Sequence, residues 1–383
     1  MNKKSAEVVI IGGGIIGCAT AYYLAKAGIT DVVVLEKSYL TSGSTGRCGA
    51  GVRQQWGLKM NVLLARESIR AFETLNEELD TGFDIEFKQR GYLMLAYNEP
   101  LFEQYKKNVA LQQSLDVPVK LLTAEEARGI VPHLNIEGLY GATFCPTDGH
   151  INPFTCNISY AEAARRLGVE VLTFTEATGI TVEKGNVTGV EPTAGSISTD
   201  KVLNASGGHS AQVAAMAGVD LPTYPERHQI LVTEPVAAMQ DPMVISLAHG
   251  FYCQQVPHGS FLMGFGDPNE LKEHVVTSSW HFMEEMAAKV LPVMPPLAKL
   301  RVVRQWAGLY NISPDAQPIL GPVPEVEGFY CSVGYSGHGF MLAPVTGMAL
   351  AAQMTGRDFP IDVSPLSVER FARGELIREP SVV

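Results

Sequence analysis

The stretch VVIIGGGIIGCATAYYLAKAGITDVVVLEK, residues 8–37, decides the fold. It begins with four apolar residues, continues into a GxGxxG motif at Gly12, Gly14 and Gly17, and then becomes rich in alanine. In a strand–turn–helix unit the first glycine allows the tight turn, the second lets a pyrophosphate approach the backbone, and the third lets the helix pack closely on the strand. The unpaired N–H groups of the helix would then face the phosphates. We therefore predict a strand, a phosphate-binding turn and a helix.

The second half of the stretch supplies the rest of a dinucleotide site. The helix should end at Gly28, and a second apolar strand over 32–35 ends on Glu36. An acidic residue about twenty positions after the glycines accepts hydrogen bonds from the ribose in such sites. A GxGxxG motif alone would be weak support, because an ordinary glycine-rich turn can contain it. The strand, the helix and the acid together favour a dinucleotide, and they leave open whether it is FAD or NAD.

Composition excludes several classes of protein. The chain has 383 residues, 46% of them hydrophobic and 18% charged, which is typical of a soluble protein with two lobes. A net charge of −11 argues against nucleic acid or an anionic membrane surface as the main partner. No apolar run is long enough for a membrane span, and the broken N-terminal run does not resemble a secretion signal. The six cysteines are scattered without a CxxC pair, so we expect no metal site, no disulfide and a cytoplasmic location.

Hydrophobic periodicity divides the chain into interleaved parts. It predicts helices over 61–79, 100–116 and 123–130, the last with a capping box from Thr123 to Glu126. Strand-type alternation dominates 226–270 and favours an antiparallel sheet. Near the other end, an apolar strand over 329–333, a glycine-rich turn and a helix from Met341 to Gly356 repeat the strand–glycine–helix pattern.

We therefore predict an α/β fold in which a Rossmann-like FAD-binding domain is interleaved with an α+β substrate domain built on an antiparallel sheet. The FAD-binding domain should comprise residues 1–80, 145–220 and 300–383, and the substrate domain 81–144 and 221–299. A nicotinamide dehydrogenase usually carries its nucleotide fold in one block, whereas extended FAD needs contacts from distant segments. The loop 41–51, with small donors and Arg47, suits a pyrophosphate and ribityl chain. FAD is the better interpretation.

Several longer motifs resemble the D-amino-acid oxidase superfamily of flavoproteins, and within it the β subunits of heteromeric L-proline dehydrogenase and sarcosine oxidase. They lie in this order along the chain: SGSTGRCGAGVRQQW from Ser42, RGYLML from Arg90, PTDGHINPF from Pro146, RHQILVTEP from Arg227, WAGLYNISPDAQPILG from Trp306 and GYSGHGFMLAP from Gly334. With residues 10–36 they span nearly the whole chain. The set is specific for the family but less so for one substrate.

The resemblance implies a cofactor, a reaction and partners. It implies FAD-dependent oxidation of a secondary amino acid of the L-proline or sarcosine type, by hydride transfer to flavin N5, under a sheet that covers the isoalloxazine. It also implies a catalytic β subunit that passes electrons to a second, α-type subunit. The residues expected to contact FAD are Gly12, Gly14, Ile15, Ile16, Gly17, Glu36, Lys37, Ser44, Thr45, Arg47, Cys48, Gly49, Ala177, Ala205, Gly207, Gly308, Gly334, Gly337, His338, Gly339, Phe340 and Met341.

Two departures from the family concern how flavins are attached. Monomeric relatives link FAD to a cysteine near the segment that corresponds to 306–310, and this sequence has none there, so FAD should be noncovalent. Heterotetrameric sarcosine oxidases link FMN to a histidine just before a helix, where this chain has Asn152 and Pro153. A covalent FMN is therefore not expected, and a noncovalent FMN at a subunit interface stays open.

Amino acid oxidation requires a carboxylate anchor and a way to free the amine lone pair. Arginine suits the carboxylate because its donors form a planar fork. We expect Arg47 to contact flavin or substrate and Arg53 to form a structural salt bridge. His228 and Tyr252, which match pocket positions of the family, would help the amine lose its proton and fix the carboxylate. Tyr310 is a weaker candidate.

Other interpretations remain open at this point. A lone histidine on a strand is more often packed or on the surface than catalytic, and His338 could merely shape its turn. The chain could also be a stand-alone glycine or D-amino-acid oxidase that uses oxygen, an opine or hydroxyproline dehydrogenase, a non-catalytic flavoprotein, or an NAD dehydrogenase. Oxygen, a second flavin and a quinone are all open as electron acceptors.

Overall fold

A six-stranded sheet carries the GxGxxG turn. The computed structural model describes residues 3–193 and 195–380, and strands and helices are numbered here along the chain. In this sheet β1, β2, β8, β12 and β19 are parallel, and β18 is an antiparallel edge strand. The spatial order is β18-β19-β12-β1-β2-β8. The strands are β1 (Val8–Ile11), β2 (Val32–Leu35), β8 (Glu170–Leu172), β12 (Val202–Asn204), β18 (Ile319–Pro322) and β19 (Phe329–Val333).

Both faces of this sheet are buried, as its continuous apolar strands require. Val8 and Ile10 of β1 point into one core cluster, whereas Val9 and Ile11 point into another. The first cluster contains α1 (Ile15–Lys26), α2 (Lys59–Leu79), α5 (Pro153–Arg166) and α8 (Gly339–Thr355). The second contains α6 (Ser210–Met216) and a three-stranded sheet of β9 (Ala177–Glu183), β10 (Asn186–Pro192) and β11 (Ile197–Ser198).

An eight-stranded, mainly antiparallel sheet forms the second lobe. Its order is β17-β13-β16-β15-β14-β4-β6-β5, and only the β14–β4 pair is parallel among the described strands. One face packs on α4 (Ala124–Ile130) and α7 (Trp280–Val290), and α3 (Glu99–Ser114) packs near β4. The strands are β4 (Tyr92–Ala96), β5 (Lys120–Leu122), β6 (Gly141–Cys145), β13 (Tyr224–Thr233), β14 (Met243–Ser246), β15 (Phe251–Gln255), β16 (Phe261–Gly264) and β17 (Val302–Ile312).

Short elements complete the described fold. β3 (Gly51–Val52) pairs with β7 (Gly149–His150), which fixes the loop that follows the GxGxxG unit. A short helix, α9 (Glu369–Ala372), lies near the end of the described chain. Single 3₁₀ turns occupy Ser44–Arg47, Gly207–His209, Pro295–Lys299 and Ser364–Leu366.

The predicted α/β fold class is confirmed, and most of its parts are present. Strands 8–11, 32–35 and 329–333 have the predicted bounds. The capping box is present, because Thr123 Oγ1 accepts the Glu126 N–H at 3.2 Å and the Glu126 carboxylate accepts the Thr123 N–H at 2.8 Å. Helix α8 begins at Gly339 rather than Met341 and ends at Thr355, and Gly356 caps it in the left-handed conformation.

The division into domains stays a prediction, and one observation bears on its boundary at residue 300. Strand β17 pairs along its length with β13, from Tyr224 opposite Ile312 to Thr233 opposite Val302. The segment 302–312 therefore lies in the sheet of the second lobe, whereas the prediction assigned it to the FAD-binding domain.

Among the described residues, no helix is both long enough and apolar enough to span a membrane.

Candidate active site

A cavity of about 680 Å³ is lined by residues of both lobes. The predicted catalytic residues His228, Tyr252, Arg47 and Tyr310 all line it, as do the predicted cofactor contacts apart from Gly17 and Gly334. Those two glycines instead lie where neighbouring groups approach the backbone closely. A Cβ on Gly17 would overlap the Gly12 carbonyl oxygen, and Gly334 has φ +72° and donates its N–H to Asn311 Oδ1 at 2.6 Å. The sequence motifs thus identified residues that come from both lobes of the protein and line one cavity.

The GxGxxG turn is pressed against the neighbouring strand. Gly12 has φ +118°, and a Cβ there would overlap the carbonyl oxygen of Ala205 at the end of β12. The Glu36 carboxylate accepts the N–H of Gly13 at 2.9 Å and the N–H of Ser38 at 2.8 Å. Glu36 therefore stands at the ribose end of the predicted site and also holds the turn.

The loop after β2 provides the cap that the first helix lacks. Gly14 at the N-cap has no side chain, and Thr45 Oγ1 accepts the N–H of Ile15 at 3.0 Å. Ser44 Oγ donates to the carbonyl oxygen of Leu309 at 2.6 Å. The loop thus joins the start of α1 to β17, and its small residues leave room in the cavity.

Arg47 fixes this loop through backbone carbonyls. Its Nε donates to the Ser42 carbonyl at 3.0 Å, and its Nη1 donates to the Ala307 carbonyl at 2.9 Å. Trp306 Nε1 donates in return to the Arg47 carbonyl at 2.9 Å. Contact with flavin or substrate stays a prediction for Arg47, and the structure adds a role in joining the loop to β17.

Three aromatic side chains, from three strands of the eight-stranded sheet, form one wall. His228 on β13 lies 3.0 Å through Nε2 from the Tyr252 hydroxyl on β15. Its ring stacks on that of Tyr310, on β17, with a centroid distance of 4.1 Å and an angle of 6°. Burial lowers the pKa of the His228 imidazole to about 4 and raises the pKa of both tyrosines. At neutral pH the wall therefore carries an uncharged imidazole and protonated phenols.

The sequence pattern gave Arg53 a structural role, and the structure places it in the cavity wall. It is 2% exposed, its Nη1 donates to the Gln55 carbonyl at 2.7 Å, and its guanidinium carbon lies 4.0 Å from the centre of the Trp56 ring. His338 also contacts Trp56, and the centres of the two rings are 4.7 Å apart. Burial, reinforced by the charge of Arg53, lowers the pKa of His338 to about 3. Arg53 is thus a buried cation beside a neutral histidine.

Other lining residues were missed because only strand pairing brings them to the cavity. Tyr92 on β4 lies opposite Met243 on β14, and Ile245 lies opposite Tyr252. The alternation of β4 places Tyr92 on one face, but the sequence does not show which face meets the cavity. The RGYLML motif contains Tyr92, but it does not indicate which of its side chains lines the cavity.

A second missed group borders Lys37. Its Nζ lies 3.0 Å from His209 Nε2, and the His209 ring stacks on that of His274 at 4.5 Å. All three residues line the cavity. His274 belongs to the segment after β16, so the second lobe reaches the end of the cavity where Glu36 lies.

Within residues 3–193 and 195–380, no group of three or more His, Cys, Asp or Glu side chains could hold a metal ion.

The chain belongs to the family of FAD-dependent oxidoreductases, whose model matches residues 7–353. Among relatives, the sarcosine oxidase subunit beta of Arthrobacter sp. is 33% identical, over 98% of this chain and 94% of the relative. The protein of the same name from Rhodobacter capsulatus is 31% identical, over 98% and 91% respectively. The crystal structure of L-proline dehydrogenase from P. horikoshii matches this fold with a TM-score of 0.93, over 98% of this chain and all of that one, and the two sequences are 37% identical. The resemblance predicted from the motifs is confirmed.

The cavity fits the FAD that the family requires. The cradle is made of backbone where a pyrophosphate must approach, and a Cβ at Gly12 or Gly17 would disturb it. Gly14, Ile15 and Ile16 at the N-terminus of α1 line the cavity, where the positive end of the helix dipole favours a phosphate, and Glu36 lines it too, as the acidic residue of a ribose site would. The buried wall around His228 lies in the same cavity. FAD, when bound, would accept a hydride, which carries both electrons, from the substrate.

Proposed function

We propose that this chain oxidises a small secondary amino acid of the L-proline or sarcosine type, acting as the catalytic β-type subunit of a hetero-oligomer. The observation that carries the proposal is that the buried cation Arg53 and the His228–Tyr252 pair line one cavity with the FAD cradle. This set supplies a carboxylate anchor and a proton acceptor beside the group that takes the hydride. The names of the relatives support the same chemistry.

Arg53 is the better candidate for the carboxylate anchor. Two hydrogen bonds hold the Nε and Nη1 of Arg47 on backbone carbonyls. Arg53 is held by Gln55 and packed on Trp56, and it faces the cavity that contains the three aromatic side chains. A carboxylate that enters this wall would meet a cation away from water, where charge-assisted hydrogen bonds are strong.

His228 and Tyr252 are placed to handle the amine. A secondary amine is a cation in water, and the carbon next to nitrogen gives up hydride only when the nitrogen lone pair is free. Burial lowers the pKa of the His228 imidazole and keeps it neutral, and it disfavours the charged form of a bound ammonium group in the same way. The neutral ring can therefore accept a hydrogen bond and then the proton from the ammonium group, while the Tyr252 hydroxyl fixes the orientation of the ring. Tyr310 supports the imidazole by stacking.

The electron partner and the location are part of the proposal. We infer a second, α-type subunit that receives the electrons, because the sarcosine oxidase relatives are named as beta subunits. FAD would be noncovalent, and a noncovalent FMN would lie at the subunit interface. The six cysteines are all unpaired, which supports a reducing cytoplasm.

Anaerobic stopped-flow spectroscopy tests the proposal. The purified protein should be yellow, and L-proline or sarcosine should bleach the flavin band in a single turnover. Hydroxyproline, an opine, glycine, D-alanine and NADH complete the panel. Bleaching by glycine or D-alanine alone, with fast oxygen turnover by a monomer, would favour the stand-alone oxidase. If no amine in the panel bleaches the flavin, the proposal is wrong.

A further inference from the structure

Two carboxylates outside the cavity wall hold the loop 53–58, which carries Arg53 and Trp56. We propose that Glu379 and Asp148 are positioning residues that fix Arg53 for the substrate carboxylate. This inference rests on the proposed role of Arg53 as the anchor. It assigns a function to a segment, 375–380, that lies far along the chain from the FAD motif.

Glu379 caps the beginning of helix α2. One carboxylate oxygen accepts the N–H of Gly57 at 2.7 Å, and the other accepts the N–H of Leu58 at 3.2 Å and the Nδ2 of Asn61 at 2.8 Å. The N-cap residue, Leu58, has an apolar side chain, and the first helical turn has no acidic residue. Glu379 therefore supplies the negative partner that the helix dipole and the unpaired N–H groups require.

The segment that carries Glu379 is anchored by the fold. The ion pair between Arg370 and Asp315 joins atoms 2.8 Å apart, and the two side chains are 1% and 0% exposed. The Asp315 carboxylate also accepts the N–H of Ile377 at 3.2 Å. Pro380 lies so close to Gly57 that a Cβ on this glycine would overlap it. The position of Glu379 is thus set from both sides.

Asp148 holds the other end of the loop. It is fully buried, and Oδ1 accepts the N–H of Gln54 at 2.8 Å while Oδ2 accepts Gln55 Nε2 at 3.0 Å. The carbonyl of Gln55 is in turn the acceptor for Arg53 Nη1. A shift of Asp148 would therefore move the atom that orients the guanidinium.

Both carboxylates also act on Arg53 through charge. Burial lowers the pKa of its guanidinium, and the nearby Tyr92, Glu379 and Asp148 oppose that change. Trp56, on which the guanidinium packs, is held between the two ends because Gln112 Nε2 donates to its carbonyl at 2.7 Å. The loop and its charge balance thus depend on two groups that do not touch the substrate.

The test uses the holoenzyme and a ligand that cannot be oxidised in the same way. Tetrahydrofuran-2-carboxylate has an ether oxygen where proline has its amine, and its Kd is read from the change in the flavin spectrum. We expect Glu379→Ala to raise this Kd about tenfold and to change the limiting rate of flavin reduction by proline less than threefold. Glu375→Ala is the matched control, since Glu375 is an exposed residue of the same segment that pairs with Arg373; it should behave as wild type.

Three further variants keep the inference open to refutation. Glu379→Gln retains the shape and one acceptor oxygen, so it should raise the Kd by less than Glu379→Ala, and it carries the test if the alanine variant does not fold. Asp148→Asn should also raise the Kd, because its NH₂ group would replace one of the two oxygens that accept hydrogen bonds from Gln54 and Gln55. Arg53→Lys is the reference for loss of the anchor.

The outcomes separate this inference from the function on which it rests. If Arg53→Lys weakens the ligand but both Glu379 variants bind it as wild type does, the positioning role is wrong and the anchor stands. If Arg53→Lys binds the ligand as wild type does, the anchor and the positioning role are both wrong. If a Glu379 variant loses FAD in proportion to its loss of ligand binding, the residue is structural, and the positioning role is again wrong.

Discussion

We expect the Gly12→Ala variant to be purified largely without FAD. Gly12 has φ +118°, and its missing Cβ would overlap the carbonyl oxygen of Ala205. Backbone strain at such a φ costs about 1–3 kcal/mol for a residue with a side chain, and overpacking costs about another 1–3 kcal/mol. The turn can relieve the overlap only by retreating from β12, which would move the N–H groups of the turn away from the phosphates. The two costs together are about 2–6 kcal/mol, and since about 1.4 kcal/mol is a tenfold change in affinity, FAD binding should weaken by roughly thirtyfold to ten-thousandfold if the whole cost falls on binding.

Two other glycines of the same unit separate the causes. Gly28 has φ +107°, and no described atom lies within 4 Å of the place that a Cβ would take, so Gly28→Ala should cost strain alone and keep FAD. Gly17→Ala adds the overlap with Gly12 without a positive φ, so it should fall between the two. The ratio of flavin to protein absorbance gives FAD content, and thermal unfolding with and without added FAD gives stability. Wild-type FAD content in Gly12→Ala, or loss of FAD in Gly28→Ala, would refute the reasoning.

Three further predictions concern the cavity wall. Tyr252→Phe removes the 3.0 Å hydrogen bond to His228. Because a neutral hydrogen bond contributes about 0.5–1.5 kcal/mol, kcat/KM should fall by roughly two- to tenfold while the FAD content stays unchanged. An unchanged kcat/KM would show that the hydroxyl is not needed. Burial lowers the pKa of His228 to about 4, so kcat/KM of the wild type should show a limb that falls as the pH drops through about 4, because protonation removes the acceptor. Burial raises the pKa of Asp148 to about 6, so protonation of this carboxyl group should give a separate fall near pH 6. The limb near pH 4 should be absent in His228→Gln, and the limb near pH 6 should be absent in Asp148→Asn. Arg47→Ala loses two hydrogen bonds to backbone carbonyls. It should weaken FAD binding, measured by titration of the apoprotein, more than it weakens binding of the substrate carboxylate. The reverse order would make Arg47 the anchor.

The sequence predicted best those elements whose limits are set locally. Strands 8–11 and 32–35 are continuous apolar runs bounded by glycine or charged residues, and a buried parallel strand needs no other information. The helix after Thr123 was placed because the capping box lies within four residues. In each case the deciding contacts are between near neighbours in the chain.

The sequence predicted poorly those elements whose limits are set by distant partners. Strand β13 begins at Tyr224, before the region of strand-type alternation over 226–270, because its first residues pair with β17. Strand β17 itself has exposed Val303 and a stretch of mixed polarity, so the pattern did not reveal a long strand in the second sheet. Pairing with a strand far along the chain is not recorded in local periodicity.

Arg47 and Arg53 show why a sequence can identify a site residue without indicating its role. Both lie in the glycine-rich segment that the motif marks, and both line the cavity. The partners of Arg47 are carbonyl groups of Ser42 and Ala307, which every residue type possesses, so no sequence pattern can indicate them. Arg53 is set apart by Asp148 and Glu379, two carboxylates that only the folded chain brings to its loop. Loop composition therefore predicts that one of the two arginines binds an anion here. Contacts from distant segments, which composition does not record, determine which of the two arginines it is.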